Sequence, residues 1–560
     1  MRSGIKAGET KKNVFIPALV NLAALIIASV LFAASFPNLL FKNGLPLLAW
    51  IAYVPVFWTL RRVGFGSAFF WGALYGYSAY GLFNYWLSVF HPLAGLIVGS
   101  IYLVYMALLF PLLRLAVLAF PRRGYILQWL LWMAFEYLRT KGFLGYSYGI
   151  TGYSQWHIIP VIQIASVTGV WGVSALVVFP SAWIAAAISG AAIKEGGFIE
   201  IWKSIKTFFR KEWISAAVWA ILLVSALVYG FVSRVDYRDS REVKIALIQH
   251  NTDPWAPSKA PTAAQAFEEY RVDFRILKRL SDEALAAHPD TELVVWSETA
   301  FVPRIYWHTT YRDDPVSWEL VKELLDYLRT QTVPFVIGND DARKDPVLNP
   351  TAWDNRVDYN AVMLFEKGEM KTLYRKLHLV PFTEHFPYEK QLPWIHQALI
   401  NADTHFWETG NEATVFQTNG IKFSSPICFE DTFGYLSRDF VRNGAELIVN
   451  LSNDAWSKSL PAQMQHLSMA VFRAVENRRS MVRSTASGQT CAIDPNGKIL
   501  AMAEPFTEAW LSARVPLVNP ATLYTHYGDY LGIFFVWAAF LMLICGALLY
   551  IINSINHRVH

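Results

Sequence analysis

The chain has 560 residues, of which 54% are hydrophobic and 17% charged, and its mean hydropathy is +0.27. This composition excludes a disordered protein and a basic nucleic-acid-binding module, and three cysteines are too few for a disulfide scaffold. Residues 1–233 contain 17 Lys and Arg but five acidic residues, whereas the remainder contains 32 basic and 39 acidic residues. We therefore expect a basic membrane part followed by a mildly acidic part that folds in water.

Eight apolar segments are candidate membrane-spanning helices, which need about 20 apolar residues each. They are roughly residues 14–35, 45–60, 66–88, 93–118, 124–139, 162–190, 213–233 and 526–552, of which the second and fifth are short. If the N-terminus is cytoplasmic, the inner segments carry fourteen Lys and Arg and the short outer loops carry three. This predicts a seven-helix membrane domain (1–233), an extracytoplasmic domain (234–525), and an eighth span with a short cytoplasmic tail (526–560).

The outer end of the fifth segment has two notable features. Glu136 is predicted to pair with Arg139, three residues further along the helix. The following segment, Phe143–Tyr153, is aromatic and rich in glycine. It is interpreted either as part of a lipid-facing entrance or as an interfacial aromatic belt.

From Val243 onwards the pattern is that of a layered α/β domain, because short β-rich runs alternate with helical segments. The predicted strands are Val243–Ile248, Leu293–Trp296, Pro334–Ile337, Ala361–Phe365, Lys422–Ile427, Glu446–Leu451, Ser480–Ser487 and Thr490–Ile493. Helical spacing of apolar residues predicts helices over 263–288, 317–330 and 461–477. About 270 residues are enough to bury a large core.

Three residues in this domain are candidates for catalysis. Cys428 directly follows an apolar strand, where α/β folds expose functional side chains. Most free cysteines are simply buried, and Cys491 remains open as a disulfide partner, but an unpaired thiol in an oxidising space is a candidate nucleophile. Glu298 and Lys376 are each, alone, more typical of surface charges. Together they offer a base for the thiol and an ammonium that stabilises an oxyanion.

Other chemistries have less support in the sequence. Residues 145–149 read GYSYG and match the serine-hydrolase pattern, but they follow a membrane span rather than a strand. The sequence contains no HExxH, no phosphate-binding loop and no Cys/His metal spacing, so no metal and no cofactor are predicted. His378 and His385 are interpreted as local structure rather than as partners of the thiol.

Three segments resemble the signatures of a known superfamily. Trp296–Ala300, Tyr374–Pro387 and Pro426–Phe433 are similar to the segments that supply the Glu, Lys and Cys of the nitrilase (carbon–nitrogen hydrolase) superfamily. With eight spans around such a domain, nearly the whole chain resembles the apolipoprotein N-acyltransferase family of the bacterial inner membrane. The resemblance implies an α-helical transmembrane bundle joined to an α/β nitrilase-like αββα sandwich in the periplasm.

The resemblance also implies a reaction and roles for five residues. In that family an acyl chain moves from a phospholipid onto a cysteine as a thioester, and then to the N-terminal amine of the diacylglyceryl-cysteine of an apolipoprotein. By this resemblance Cys428 is the nucleophile, Glu298 the general base and Lys376 the oxyanion stabiliser. Glu384 and Glu430 match two further functional acids.

Five aromatic residues are expected near the acyl site on the same grounds. Trp255, Phe382 and Trp456 match aromatic positions of the family. Phe429 stands where a tyrosine is common beside the cysteine, and Tyr148 stands where a tryptophan is expected. These departures leave the chemistry in place and bear on the choice of donor and acceptor.

The sequence thus favours an acyltransferase, with a membrane-anchored amidase of small amides as the alternative that uses the same three residues. A transporter with an accessory domain would have polar or broken helices at mid-membrane, whereas these spans carry almost no charge there. The predicted partners are a phospholipid donor, a diacylglyceryl apolipoprotein acceptor and the lipid bilayer, without nucleic acid, and a monomer is expected. The predicted location is the bacterial inner membrane, with the catalytic domain in the periplasm.

Overall fold

The computed structural model describes residues 15–90, 94–189, 197–252, 263–312, 314–345, 355–401 and 404–559. The helices in these ranges are α1 (Phe15–Ser35), α2 (Val54–Arg62), α3 (Phe65–Phe83), α4 (Leu87–Phe90), α5 (Ala94–Ala119), α6 (Gly124–Leu138), α7 (Ile159–Ile162), α8 (Ala165–Thr168), α9 (Val170–Ile188), α10 (Gly197–Val232), α11 (Ala263–Ala287), α12 (Ile305–Thr310), α13 (Pro315–Thr330), α14 (Pro393–Asn401), α15 (Gly434–Arg442), α16 (Leu460–Asn477), α17 (Leu523–Tyr527) and α18 (Tyr530–Val559). The strands are β1 (Glu242–Gln249), β2 (Leu293–Val295), β3 (Phe335–Lys344), β4 (Arg356–Glu366), β5 (Glu369–Arg375), β6 (Val415–Thr418), β7 (Ile421–Ser424), β8 (Leu447–Ser452), β9 (Ser480–Thr485), β10 (Cys491–Ile493), β11 (Ile499–Met502) and β12 (Ala509–Pro516).

Five described helices are long and apolar enough to cross a membrane: α1, α5, α9, α10 and α18. The predicted second segment, 45–60, is a 3₁₀ turn followed by the nine residues of α2, and the fifth is the fifteen-residue α6. These two are shorter than the roughly 20 residues that cross a bilayer directly. Length and apolarity therefore support several membrane-crossing helices in the places that the sequence predicted.

The strands form two six-stranded sheets with the orders β12-β1-β2-β3-β4-β5 and β11-β10-β9-β8-β7-β6. Side chains of a strand alternate between the two faces of its sheet. Ile245 of β1 accordingly shares a core with Val449 of the second sheet, whereas its neighbour Ala246 packs with Leu277 of α11 and Leu324 of α13. Helix α16 packs against β9 of the second sheet, and α15 packs against α16. This layering confirms the predicted nitrilase-like α/β sandwich.

Helix α16 connects the sandwich to the membrane helices. Gln465 accepts a hydrogen bond from Trp86 Nε1 at 3.0 Å and donates one to the carbonyl of Pro37 at 3.0 Å. Further along α16, Arg473 donates to the hydroxyl of Tyr153 at 3.2 Å. Buried residues of both parts also belong to one hydrophobic cluster. The sandwich is therefore held against the apolar N-terminal part of the chain through α16, the helix between β8 and β9.

Candidate active site

The three predicted catalytic residues lie just beyond strand ends. Glu298 follows β2, Lys376 follows β5 directly, and Cys428 lies in the turn between β7 and α15. Their exposed fractions are 7%, 0% and 8%, so all three are buried. Glu298 and Lys376 both act electrostatically on the Cys428 thiol. The structure thus brings together one residue from each of the three signature segments.

The Glu298 carboxylate is held in place by hydrogen bonds to both of its oxygens. Oε1 accepts from the side-chain amide of Asn360 at 2.8 Å and from Lys376 Nζ at 3.4 Å, and Oε2 accepts from the backbone N–H of Asn453 at 2.9 Å. Lys376 Nζ donates in addition to Glu384 Oε1 at 2.8 Å. The ammonium therefore lies between two carboxylates, and its position is fixed before any substrate arrives.

The protonation states suit a base-assisted nucleophile. Burial raises the pKa of the Cys428 thiol well above its usual value, and the charge of Glu298 raises it further against the opposing effect of Lys376. Burial disfavours the ammonium of Lys376, but the carboxylates of Glu384 and Glu298 outweigh it and raise the pKa of Lys376. At neutral pH the resting site thus contains a neutral thiol and a charged ammonium, and the thiol needs a base.

Cys428 adopts a backbone conformation that non-glycine residues rarely use. Its φ is +48°, in the left-handed region, and it begins a single 3₁₀ turn, Cys428–Thr432. Such strain, of order 1–3 kcal/mol, persists only where the surroundings hold it, and it is frequent at active sites. Here the side-chain amide of Asn450 donates to the carbonyl of Pro426 at 3.0 Å and approaches that of Cys428 at 3.4 Å.

Glu430, two residues after the cysteine, is completely buried. Its oxygens accept hydrogen bonds from four groups: the Tyr374 hydroxyl at 2.8 and 2.9 Å, and the backbone N–H of Leu377 at 2.7 Å, His378 at 3.0 Å and Ile427 at 2.7 Å. Burial raises the pKa of Glu430 to about 7, although the donors favour its charged form. Glu430 therefore ties the cysteine turn to the segment that follows Lys376.

Glu384 closes the loop that begins at Lys376. One of its oxygens binds the Lys376 ammonium, and the other accepts from the backbone N–H of Val380 at 2.8 Å. Phe382, which lies between Val380 and Glu384 in the sequence, has a φ of +65°. The loop thus presents the Phe382 ring towards the membrane helices, where it lies 5.2 Å from Phe143.

The segment Phe143–Tyr153 contacts the catalytic half. Besides Phe382, the Phe143 ring lies 6.1 Å from Phe386 and 5.4 Å from Tyr388. This aromatic group, Phe143, Phe382, Phe386 and Tyr388, joins the loop after α6 to the loop after β5. The segment is therefore more than a belt at the membrane surface.

Tyr148 lies in the same segment and is 4% exposed. Its ring stacks on Tyr146 at 4.9 Å and lies 5.6 Å from Trp86 and 6.2 Å from the ring of His466. Arg139 fixes this stretch by donating to the carbonyls of Tyr146 at 3.1 Å and Tyr148 at 2.9 Å. The charges of Arg139 and Glu136 act on each other as predicted, but each residue makes its hydrogen bonds elsewhere, and the Glu136 carboxylate accepts from Thr151.

The other predicted aromatic residues occupy different surroundings. Phe429 packs against Phe433, with ring centroids 5.0 Å apart, and against His378 at 5.9 Å. Trp456 lies 5.7 Å from Trp86 of the membrane half. Trp255 falls outside the described residues.

Three residues of the site were not predicted individually. Asn360 and Asn453 hold Glu298, and the Tyr374 hydroxyl binds Glu430. Tyr374 is the first residue of the signature segment Tyr374–Pro387, so the sequence did carry a signal for it. Asn360 is an internal residue of β4, and nothing in its local sequence distinguishes it.

Comparisons with known proteins identify the family. The Carbon-nitrogen hydrolase family matches residues 244–521, and the Apolipoprotein N-acyltransferase N-terminal domain matches residues 28–183. Over 536 residues the chain is 44% identical to Apolipoprotein N-acyltransferase 1 of Treponema denticola, which covers 93% of this chain and 95% of the relative. The chain belongs to the apolipoprotein N-acyltransferase family.

Two further relatives in this family extend the match. Apolipoprotein N-acyltransferase 1 of Treponema pallidum is 45% identical over 533 residues, covering 93% of this chain and 94% of its own. Apolipoprotein N-acyltransferase of Geobacter metallireducens is 32% identical over 549 residues, covering 95% and 96%. The similarity therefore includes both the membrane helices and the sandwich of this apolipoprotein N-acyltransferase family member.

Proposed function

We propose that the protein transfers an acyl chain from a phospholipid, through a thioester on Cys428, to the N-terminal amine of the diacylglyceryl-cysteine of apolipoproteins. Membership of the family supports this reaction. The observation that carries it is the meeting of a buried Glu298–Lys376–Cys428 group with aromatic residues of the membrane half. A soluble amidase has no need of such a junction, because its substrates do not reside in lipid.

The first half-reaction begins with the neutral thiol. Glu298 takes the proton of Cys428 as the sulfur attacks the ester carbonyl of the phospholipid, and Lys376 stabilises the oxyanion that forms. The carbon–oxygen bond then breaks, and the departing lysophospholipid oxygen takes the proton from Glu298. The acyl chain remains on sulfur as a thioester, so the reaction is of the ping-pong type.

The second half-reaction uses the same residues in reverse order. The amine of the acceptor attacks the thioester carbonyl, again next to the Lys376 ammonium. Glu298 takes a proton from the amine, the carbon–sulfur bond breaks, and the proton returns to the sulfur of Cys428. An amide and a free thiol result, and the site is ready for another phospholipid.

We also propose the arrangement in which these steps take place. The protein has eight spans with both termini cytoplasmic, in the domains 1–233, 234–525 and 526–560, and the sandwich lies in the periplasm of a bacterial inner-membrane protein. The loop charges support this orientation. A monomer suffices, because each of the three reacting residues comes from the same chain.

The test is acyl transfer to a synthetic diacylated lipopeptide by detergent-purified protein supplied with mixed phospholipids. Cys428→Ser should abolish the formation of triacylated product, whereas Cys545→Ser, which changes an exposed thiol on α18, should leave it unchanged. Triacylated product from Cys428→Ser would contradict the assignment of the nucleophile. Turnover of small amides without lipopeptide acylation would favour the amidase.

A further inference from the structure

Four charged side chains lie buried behind Cys428. They are Asp431 in the cysteine turn, Asp454 after β8, His466 on α16 and Arg483 on β9, and none is more than 2% exposed. These four residues are here called the buried quartet. None of them takes part in the proton transfers described above, so their presence next to a reacting thiol needs another explanation.

The quartet contains two negative and two positive charges. His466 donates from Nε2 to Asp431 at 2.7 Å and from Nδ1 to Asp454 at 2.9 Å, and an imidazole that donates from both nitrogens is an imidazolium. Burial opposes this charge, but the carboxylates of Asp431 and Asp454 outweigh it and raise the pKa of His466 to about 9. Arg483 binds Asp431 directly and lies 3.3 Å from Asp454 Oδ2.

The quartet is connected to both the nucleophile and the base. Asp431 belongs to the same single turn as Cys428. Asp454 accepts a hydrogen bond from the Ser452 hydroxyl at 2.9 Å, and the intervening residue, Asn453, donates its backbone N–H to the Glu298 carboxylate. Movement of a quartet residue would therefore displace either the turn that contains Cys428 or the end of β8, where Asn453 holds Glu298.

We propose that the buried quartet is a positioning element that keeps the protein charge behind Cys428 balanced, so that Glu298 and Lys376 alone govern the thiolate. The proposal rests on the proposed function in that Cys428 is the nucleophile. A buried ion cluster is not required for stability, since well-packed apolar residues serve as well. Losing one member, however, leaves an uncompensated charge close to the sulfur in a medium of low dielectric constant.

The sign of that charge distinguishes this role from a purely structural one. Arg483→Gln leaves an excess negative charge, which disfavours the thiolate, whereas Asp431→Asn leaves an excess positive charge, which favours it. The other ionisable groups around the sulfur stay unchanged in both variants: Glu298, Lys376 and Tyr148 from neighbouring elements and Glu430 in its own turn. A change that merely loosened the fold would move both variants in the same direction.

The experiment is alkylation of the purified full-length protein by iodoacetamide over a series of pH values. Peptide mapping separates Cys428 from the buried Cys491 and from the exposed Cys545, which serves as the internal control. We expect the alkylation midpoint of Cys428 to rise in Arg483→Gln and to fall in Asp431→Asn, each by on the order of one pH unit. The double variant, whose charge is again balanced, should return close to the wild-type midpoint.

Shifts in the same direction, or slower alkylation without a shift, would overturn the proposal. If Arg483→Gln does not fold, Asp454→Asn removes the other negative charge and must lower the midpoint as Asp431→Asn does, while Asp431→Glu, which keeps the charge, must leave it unchanged. Alkylation needs no acyl substrate. A failure of acyl transfer in wild type and in all variants would therefore count against the proposed function and not against the role of the quartet.

Discussion

Glu430 is predicted to hold the cysteine turn rather than to transfer protons, because both of its oxygens are occupied. In Glu430→Gln the amide oxygen keeps the N–H groups of Leu377 and His378, and the Tyr374 hydroxyl turns to accept from the new NH₂ group. The N–H of Ile427 then faces a donor and loses its acceptor. One buried N–H without a partner costs about 1–3 kcal/mol.

Glu430→Ala removes the acceptor for all four donors. On the same scale this costs roughly 4–12 kcal/mol, which is comparable with the roughly 5–15 kcal/mol that stabilises a typical protein. We therefore expect Glu430→Ala to fail to accumulate as folded protein. Glu430→Gln should fold with a lowered unfolding midpoint, which makes it the informative variant.

The assay is the single-turnover rate of acyl-adduct formation, followed by intact mass over a range of pH. A loss of about 1–3 kcal/mol from the aligned turn slows this rate roughly 5- to 150-fold. Glu369→Gln, an exposed substitution of the same kind, is the matched control and should behave as wild type. Complete loss of the acyl adduct in Glu430→Gln at unchanged stability would refute the reasoning, because it would make Glu430 a proton carrier.

Three other substitutions test separate parts of the account. Asn360→Ala removes the amide that holds Glu298, and we expect kcat to fall about tenfold with little change in KM; an unchanged kcat would contradict that role. Gly338→Ala builds a Cβ 2.8 Å from the Glu298 Cα and should remove most activity in steady-state transfer, whereas Gly66→Ala, with nothing within 4 Å, should retain it. The raised pKa of His466, about 9, implies stability that is complete below its unfolded value near 6.5 and lost as pH rises through 9. As the pH rises through that range, the thermal unfolding midpoint should fall more in wild type than in His466→Gln. Equal falls in the two proteins would exclude a contribution of His466 to stability.

The positions of the three candidate catalytic residues were predictable because they follow strands that the sequence marks clearly. The apolar runs before Glu298 and Cys428 correspond to β2 and β7, and the signature segments locate Lys376. Apolar runs of this kind report burial on both faces of a strand, which is the condition inside a sandwich. The αββα layering then follows from the alternation of strands and helices.

The strands missed by the sequence analysis have a different composition. β5 carries alternating charged and apolar residues, and its first three are exposed, so it lacks the continuous apolar run of a buried strand. β6 and β11 are four residues long, and the predicted strands stop before β12. Short or half-exposed strands depend on their neighbours in the sheet rather than on their own sequence.

The contacts that complete the site are long-range and leave no local trace. Asn453 and Glu298 are 155 residues apart, and the residues of the buried quartet come from four elements. The Arg139–Glu136 pair illustrates the converse, because a favourable helical spacing was overridden by partners from the following loop. Tertiary packing decides between such alternatives, and spacing alone does not.

The most direct test of the account is to look for the thioester itself. Purified protein is incubated with phospholipid, and intact mass and peptide mapping are used to locate any acyl adduct that hydroxylamine removes. From the proposed function we expect an adduct on Cys428 that a diacylated lipopeptide amine discharges, with triacylated peptide as the product. An adduct on another residue, or triacylated peptide formed with Cys428 never acylated, would contradict it.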